Sequence, residues 1–196
     1  MNLSQDLILF FWLAWAIGWR VASNKVKATV RRERRVSVMI RSVSVYLSLV
    51  LLTADWFWPT WIRFHFAWFF KRFIESKPLV EMSSVAVVCA GLGFATWARI
   101  QLAANWSGSV SIKKDHELVE AGPYRFVRHP IYTGLLVAIF GSTFCNGEYR
   151  GLAALLLVTI ALWHKLKLEE RWMSEIFGMR YERYKRRVAA LIPFVL

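Results

Sequence analysis

A chain of 196 residues that is 57% hydrophobic, with a positive mean hydropathy, exceeds the roughly 45–50% apolar usage of soluble domains. Its formal charge of +13 would suit a nucleic-acid binder, but the basic residues fall in blocks between apolar spans, the pattern of membrane loops. Composition therefore excludes an ordinary soluble domain and argues against a nucleic-acid partner; eleven Trp and fourteen Phe supply interfacial anchors for membrane lipids instead.

In chain order, the first apolar span covers about residues 3 to 20. Its leading end carries Asp6 and no Lys or Arg, unlike the positively charged start of a signal peptide, so a retained helix is expected. Residues 20 to 41 follow with eight Lys or Arg against one Glu. A second span, from about 36 to 58, ends in the aromatic cluster "DWFWP" and a helix-stopping Pro59. "WIRFHFAWFFKRF" then mixes aromatic and basic residues, as a helix lying in the interface plane does; His65 within it reads as an interfacial side chain.

A third span covers about 79 to 98. The polar stretch from 102 to 128, rich in Gly and Pro, reads as a functional loop. The fourth span runs from Pro130 to about Cys145, some sixteen residues, whereas a bilayer crossing needs about twenty. Its start is expected inside the membrane or against other protein. "NGEYR" makes a tight connection to a fifth span, about 151 to 167, and the tail from Lys165 to Arg187 holds eight basic and four acidic residues. With five crossings, the three most basic segments share one side, and the positive-inside rule makes that side cytoplasmic, with the N-terminus outside. Cys89 and Cys145 have no metal-ligand spacing and read as small buried residues; no metal is expected.

The predicted fold class is thus an all-α integral membrane protein with about five transmembrane helices, an interfacial helix and a cytosolic C-terminal helix. Residues 1–100 form the first three membrane helices with the interfacial segment, and residues 101–196 the last two with the C-terminal helix.

"GPYRFVRHPIYTG", residues 122 to 134, places polar groups where an apolar span begins. Pro130 suits the first helical position, putting His129 near the cap beside Arg128. A helix start offers free N–H groups and a positive dipole end, an anion site at the membrane edge, with Tyr132 able to share a face with His129. Headgroup anchoring by Tyr124, Arg125 and Arg128 accounts for the same residues.

In the tail, Leu162, Leu166, Met173 and Phe177 form one helical stripe, and Glu169 and Glu170 flank it. Adjacent carboxylates withdrawn from water repel each other and need a cation. Lys165, one turn earlier, could supply it; so could a cationic ligand. An anion site and a cation site together would hold a zwitterion.

The run "HELVEAGPYRFVRHPIYTG" at 116 to 134, with "EERWMSEIFGMRYERYKRRV" at 169 to 188 and "LIP" at 191 to 193, resembles the isoprenylcysteine carboxyl methyltransferase family and its compact prokaryotic membrane relatives. The resemblance implies a methyltransferase in the inner (plasma) membrane, with S-adenosyl-L-methionine as cofactor. It also implies a pocket built by His116, Leu118, Val119 and Tyr124, with His129, Pro130 and Tyr132 as its helix-start wall. Glu169 would take the methionyl ammonium, with Glu170 beside it. The family carries an arginine four residues before that carboxylate, implicated in substrate recognition, where this chain has Lys165; lysine keeps the charge but loses the two-point grip on a carboxylate.

Lys165, Tyr132 and Glu170 are the candidates for the catalytic role, the last two as proton acceptors should the methyl acceptor be an ammonium. A weaker likeness, Gly91 and Gly93 in "CAGLGFATW", is to the Gly-x-Gly of phosphatidylethanolamine N-methyltransferases, although small residues in membrane helices also serve packing. The expected activity is methylation of a lipophilic acceptor, with phospholipid N-methylation and a non-enzymatic membrane scaffold as the alternatives. "YERYKRR" reads as an acidic-lipid contact.

Overall fold

The computed structural model describes residues 3–22, 29–52, 58–106, 111–113, 117–193 and 195. The elements are α1 (Leu3–Ala22), β1 (Thr29–Arg32), α2 (Arg35–Leu52), α3 (Thr60–His65), α4 (Pro78–Leu102), β2 (Ser111–Lys113), α5 (Pro130–Asn146), α6 (Tyr149–Phe177) and α7 (Met179–Arg187). Each of the five apolar spans read from the sequence is one helix. Three of them, α2, α4 and α6, are long and apolar enough to cross a membrane; the end of the second span at residues 53–57 lies outside the described residues. At about 1.5 Å per residue, the 25 residues of α4 and 29 of α6 exceed a hydrocarbon core of about 30 Å.

The 17-residue α5 is short, and it starts against protein. The amides of Arg128 and His129 donate to the carbonyls of Ala189 and Ala190 at 2.8 and 3.0 Å. Thr133 Oγ1 adds a bond to the Leu191 carbonyl at 2.6 Å. The last segment of the chain therefore supplies the backbone partners that lipid could not, which non-helical backbone at membrane depth requires.

Helices α4 and α5 pack through small residues. A Cβ on Gly91 would lie 2.5 Å from the Gly134 carbonyl oxygen and 2.6 Å from the Ala138 nitrogen, and one on Gly134 would lie 2.5 Å from the Gly91 oxygen. Backbones this close gain the dispersion contacts that hold helices together where lipid offers no hydrophobic driving force. Gly93 faces open space. Ile8 of α1, Val85, Val88 and Leu92 of α4 and Ala138 and Cys145 of α5 form one buried cluster, and Tyr132, Ile139, Val158, Leu162 and Leu166 form the α5–α6 cluster. Large apolar side chains such as Ile17, Val43, Leu156 and Ile160 are exposed, as lipid-facing positions are. Cys89 is also exposed, correcting the expectation that both cysteines are buried.

Two sets of connections gather at opposite ends of the bundle. At one end β1, between α1 and α2, pairs antiparallel with β2, between α4 and α5, and Arg31 reaches Glu175 near the end of α6 at 2.8 Å. At the other, the Phe73 and Tyr149 amides bond the Gly147 and Lys71 carbonyls at 2.8 and 3.2 Å. The connections after α1 and α4 and the end of α6 thus gather apart from those after α2 and α5. The β1–β2 ladder itself was not expected from the sequence.

Candidate active site

The sequence places Glu169 and Glu170 on adjacent positions of α6, 100° apart, so their carboxylates must diverge. They meet the start of α5 on its two sides. Glu170 accepts from Arg128, Nε at 2.8 Å and Nη2 at 2.7 Å, and both side chains are about one-tenth exposed. The Arg128 guanidinium also donates to the carbonyls of Lys185 at 3.0 Å and of Val188. A buried charge pair with its remaining donors satisfied in this way is a structural staple, costly to break from one side.

Glu169 has a different set of neighbours. Its Oε2 accepts from the Tyr132 hydroxyl at 2.7 Å and lies 3.6 Å from His129 Nδ1. Its Oε1 is 3.9 Å from Lys165 Nζ, beyond hydrogen-bond reach. The His129 and Tyr132 rings are stacked at 5.4 Å and 5°, the same-face placement expected at a helix start. The Lys165 ammonium sits 5.1 Å from the Tyr132 ring centroid, a cation–π distance.

His129 Nε2 is 3.4 Å from Glu170 Oε1 but lacks hydrogen-bond geometry there and is buried without a partner among the described residues. Burial opposes the charged imidazole, yet the two carboxylates outweigh it and raise the His129 pKa above its ordinary value near 6.5. Burial, seconded by the Glu169 charge, pushes the Tyr124 phenol well above its usual range.

These groups form one end of a cavity of ≈ 320 Å³. Of the residues anticipated, Leu118, Val119, Tyr124, His129, Tyr132, Lys165 and Glu169 line it. Pro130 is buried at the first position of α5 and does not line it. Glu170 turns away to Arg128. His116 lies outside the described residues. Gly91 and Gly93 do not border the cavity: the first is a packing contact and the second faces outward.

The basic corner expected at the start of α5 already has partners within the protein. The Arg128 and His129 amides are taken by the C-terminal segment and the Arg128 charge by Glu170.

Sequence reasoning missed the far end of the cavity, made by Trp15 and Trp19 of α1 with Asn105 and Trp106. The Trp15–Trp19 and Trp19–Trp106 rings are 4.5 and 5.5 Å apart, the Arg99 guanidinium lies 4.3 Å from the Trp106 ring centroid, and Asn105 Oδ1 is buried without a partner among the described residues. The i, i+4 spacing of Trp15 and Trp19 was the available signal. Tyr181 and Tyr184 also line the cavity and are each 2% exposed, with the Tyr184 hydroxyl donating to the Tyr124 carbonyl at 2.5 Å. The reading of "YERYKRR" as a lipid contact is therefore wrong for its tyrosines, and Arg187 pairs with Glu120 at 2.9 Å.

Apolar helices around a cavity that ends in a tyrosine-held carboxylate define an integral membrane protein with a polar-ended cavity within its bundle. The family model described as phospholipid methyltransferase matches residues 79–180, just over half of the sequence, and covers the carboxylates, the start of α5 and the loop before it. The chain belongs to that family.

It is 31% identical over 133 residues to the protein-S-isoprenylcysteine O-methyltransferase of Schizosaccharomyces pombe, covering 65% of this chain and 54% of that protein. It is 41% identical over 71 residues to methanethiol S-methyltransferase 1 of Bradyrhizobium diazoefficiens, covering 36% and 24%. The resemblance read from the motifs is thus borne out, while the chain spans about half the length of its isoprenylcysteine relatives and less of the methanethiol enzyme. The solved structure of the eukaryotic intramembrane Ras methyltransferase ICMT superposes with a TM-score of 0.55 at 21% identity, over 83% of this chain and 54% of that one, a likeness of fold.

Proposed function

We propose that this protein is a methyltransferase that uses S-adenosyl-L-methionine to methylate a lipophilic acceptor at the cytoplasmic face of the membrane. The observation that carries the reading is Glu169. Its carboxylate stands at one end of the cavity, held by Tyr132, His129 and Lys165 but, among the described residues, by no ion-pair contact shorter than 3.6 Å. A ligand ammonium could displace Lys165 and make the short charge-assisted bond that the protein does not.

The cavity fits the cofactor on two further counts. Its ≈ 320 Å³ falls within the roughly 300–1,000 Å³ of small-molecule sites. Two buried polar atoms at its ends, His129 Nε2 and Asn105 Oδ1, lack the partners that such atoms ordinarily have.

The cofactor, when bound, supplies a methyl group already activated by its sulfonium. The protein has then to orient, exclude water and balance charge, effects that can lower a barrier by up to about 7–11 kcal/mol in favourable cases. Glu169 would bind the ammonium, Tyr132 would hold Glu169 in place, and the Trp19–Trp106 end would close the cavity to water. Lys165 borders the reacting space and would meet the acceptor. Tyr132 donates its proton to Glu169, and Glu170 is committed to Arg128, so the geometry favours an acceptor that needs no general base, such as a carboxylate or thiolate. Glu170 then acts as a positioning residue for Arg128, and through it for the C-terminal segment against the start of α5.

The relatives' names span O- and S-methylation, and the family description includes phospholipids; phospholipid N-methylation is therefore the second reading. Calorimetric titration with S-adenosyl-L-methionine tests the proposal. The wild type should bind and Glu169→Ala should lose binding by about a hundredfold, as removal of a desolvated charge partner predicts; equal affinity in the two proteins rejects it. Methylated headgroups in lipid extracts of expressing cells would favour the second reading.

A further inference from the structure

Helix α7 has two faces with different surroundings. Tyr181, Tyr184 and Val188 fall on one side and form a buried cluster, and both tyrosines line the cavity. Met179, Arg180, Arg183, Arg186 and Arg187 share the other side within an arc of about 120°, and all five are exposed. No carboxylate lies on that arc. The acidic residue of α7, Glu182, is turned to Ser174 and Lys185.

Glu120 answers two of the four guanidinium charges, at 3.4 Å from Arg180 and 2.9 Å from Arg187. Arg183 and Arg186 make no hydrogen bond or ion pair among the described residues. The negative dipole end of α7 favours Arg186 in the last turn but falls off before Arg183. One turn apart on a helix, these two cations repel each other, and an external anion would relieve the repulsion.

From this face the chain leads directly to the membrane. The carbonyls of Ala189 and Ala190 accept from the amides at the start of α5, and that of Leu191 accepts from Thr133 in its first turn. Ile192 and Val195, next along, are 61% and 58% exposed. Bare apolar side chains beside the first turn of a membrane helix belong in hydrocarbon, and the arginines just before them then stand at headgroup level. Cations immediately outside an apolar anchor are how basic segments bind anionic lipid, and guanidinium groups grip phosphate through paired N–H donors. An acidic protein segment would match the arginines but leave the apolar tip uncovered.

We propose that the outer face of α7 is a docking surface for anionic phospholipid in the leaflet where α5 begins, with Arg183 and Arg186 on the phosphate and Ile192 and Val195 among the acyl chains. The inner face of α7 lines the cavity, and the Lys185 and Val188 carbonyls hold Arg128, so lipid on the outer face also steadies the carboxylate end of the cavity. Leaflet composition thereby sets how firmly that wall is held. None of this depends on which ligand the cavity takes.

Hydrogen exchange of the full-length protein, in nanodiscs of phosphatidylcholine with and without phosphatidylglycerol, tests the docking. Phosphatidylglycerol should slow exchange across 179–191 and at the Arg128 and His129 amides by on the order of tenfold, the effect of two arginines near an anionic surface. Molar salt, which screens charges beyond about 3 Å, should remove the slowing. Arg183→Gln/Arg186→Gln, which breaks no printed ion pair of α7, should remove it too, whereas Lys71→Gln/Lys77→Gln at the other end of the bundle should keep it.

Phosphatidylglycerol bearing a diazirine on an acyl chain should label the peptide that contains Ile192 and Val195, and label it less in the arginine variant. Equal exchange in the two lipids, equal loss of slowing in both double variants, or no label in that peptide overturns the inference. So does slowing by soluble polyglutamate in phosphatidylcholine nanodiscs but not by phosphatidylglycerol, which would make the partner an acidic protein segment.

Discussion

Glu169 and Glu170 are chemically identical neighbours, and their partners divide the work between them. Glu170 is matched by a guanidinium and cannot be exposed to a ligand without breaking that pair. Arg128→Met should therefore destabilise the protein by about 3–5 kcal/mol, the usual cost of orphaning a buried charge, while Arg128→Met/Glu170→Met should recover most of the loss. Thermal melting in detergent distinguishes the two variants.

His129 lies between both carboxylates and binds its proton more tightly in the folded state than an ordinary histidine. A raised folded-state pKa means that the folded state holds the proton more strongly than the unfolded chain. The stabilisation is therefore fully present below the ordinary value near 6.5 and is lost as pH rises through the folded pKa. Histidine-selective NMR should place the His129 titration above the ordinary histidine value near 6.5, and Glu169→Gln should lower it. An unshifted His129 signal would contradict the arrangement described.

At the scale of elements, α5 depends on two surfaces that its own composition does not announce. One is the C-terminal segment that takes its first amides. The other is the Gly91–Gly134 contact, where a side chain on either glycine meets backbone within 2.5 Å. Gly91→Leu should abolish folded, monodisperse protein in size-exclusion chromatography, whereas Gly93→Leu, with open space around it, should be tolerated. The contrast separates helix packing from a Gly-x-Gly ligand motif, because a ligand motif would need both.

For the whole molecule, the gathered connections fix which loops share a side. Single cysteines introduced at Glu75 or Lys77 should react with an impermeant thiol reagent from the face opposite to that which reaches Arg180 or Arg187, in a Cys89→Ser/Cys145→Ser background. With basic loops inside, as proposed, the second group is expected on the cytoplasmic face. Labelling of all four positions from one face would exclude the five-crossing arrangement.

Much of this was legible in the chain. Apolar span lengths gave the helices, since a bilayer sets a minimum length that composition alone reveals. The spacing of His129 with Tyr132 and of Lys165 with Glu169 gave local faces, because a helix repeats every 3.6 residues. The same periodicity put Glu169 and Glu170 beside an apolar stripe, and so marked them as withdrawn from water.

Only the tertiary structure decided which cation belongs to which carboxylate. Arg128 and Glu170 are 42 residues apart, and no local periodicity reaches that far. The Trp15–Trp19 end of the cavity and the burial of Tyr181 and Tyr184 likewise depend on which helices become neighbours. That choice is made by close packing of α4 on α5 and of α2 on α6. A sequence specifies such packing only through all of its contacts together.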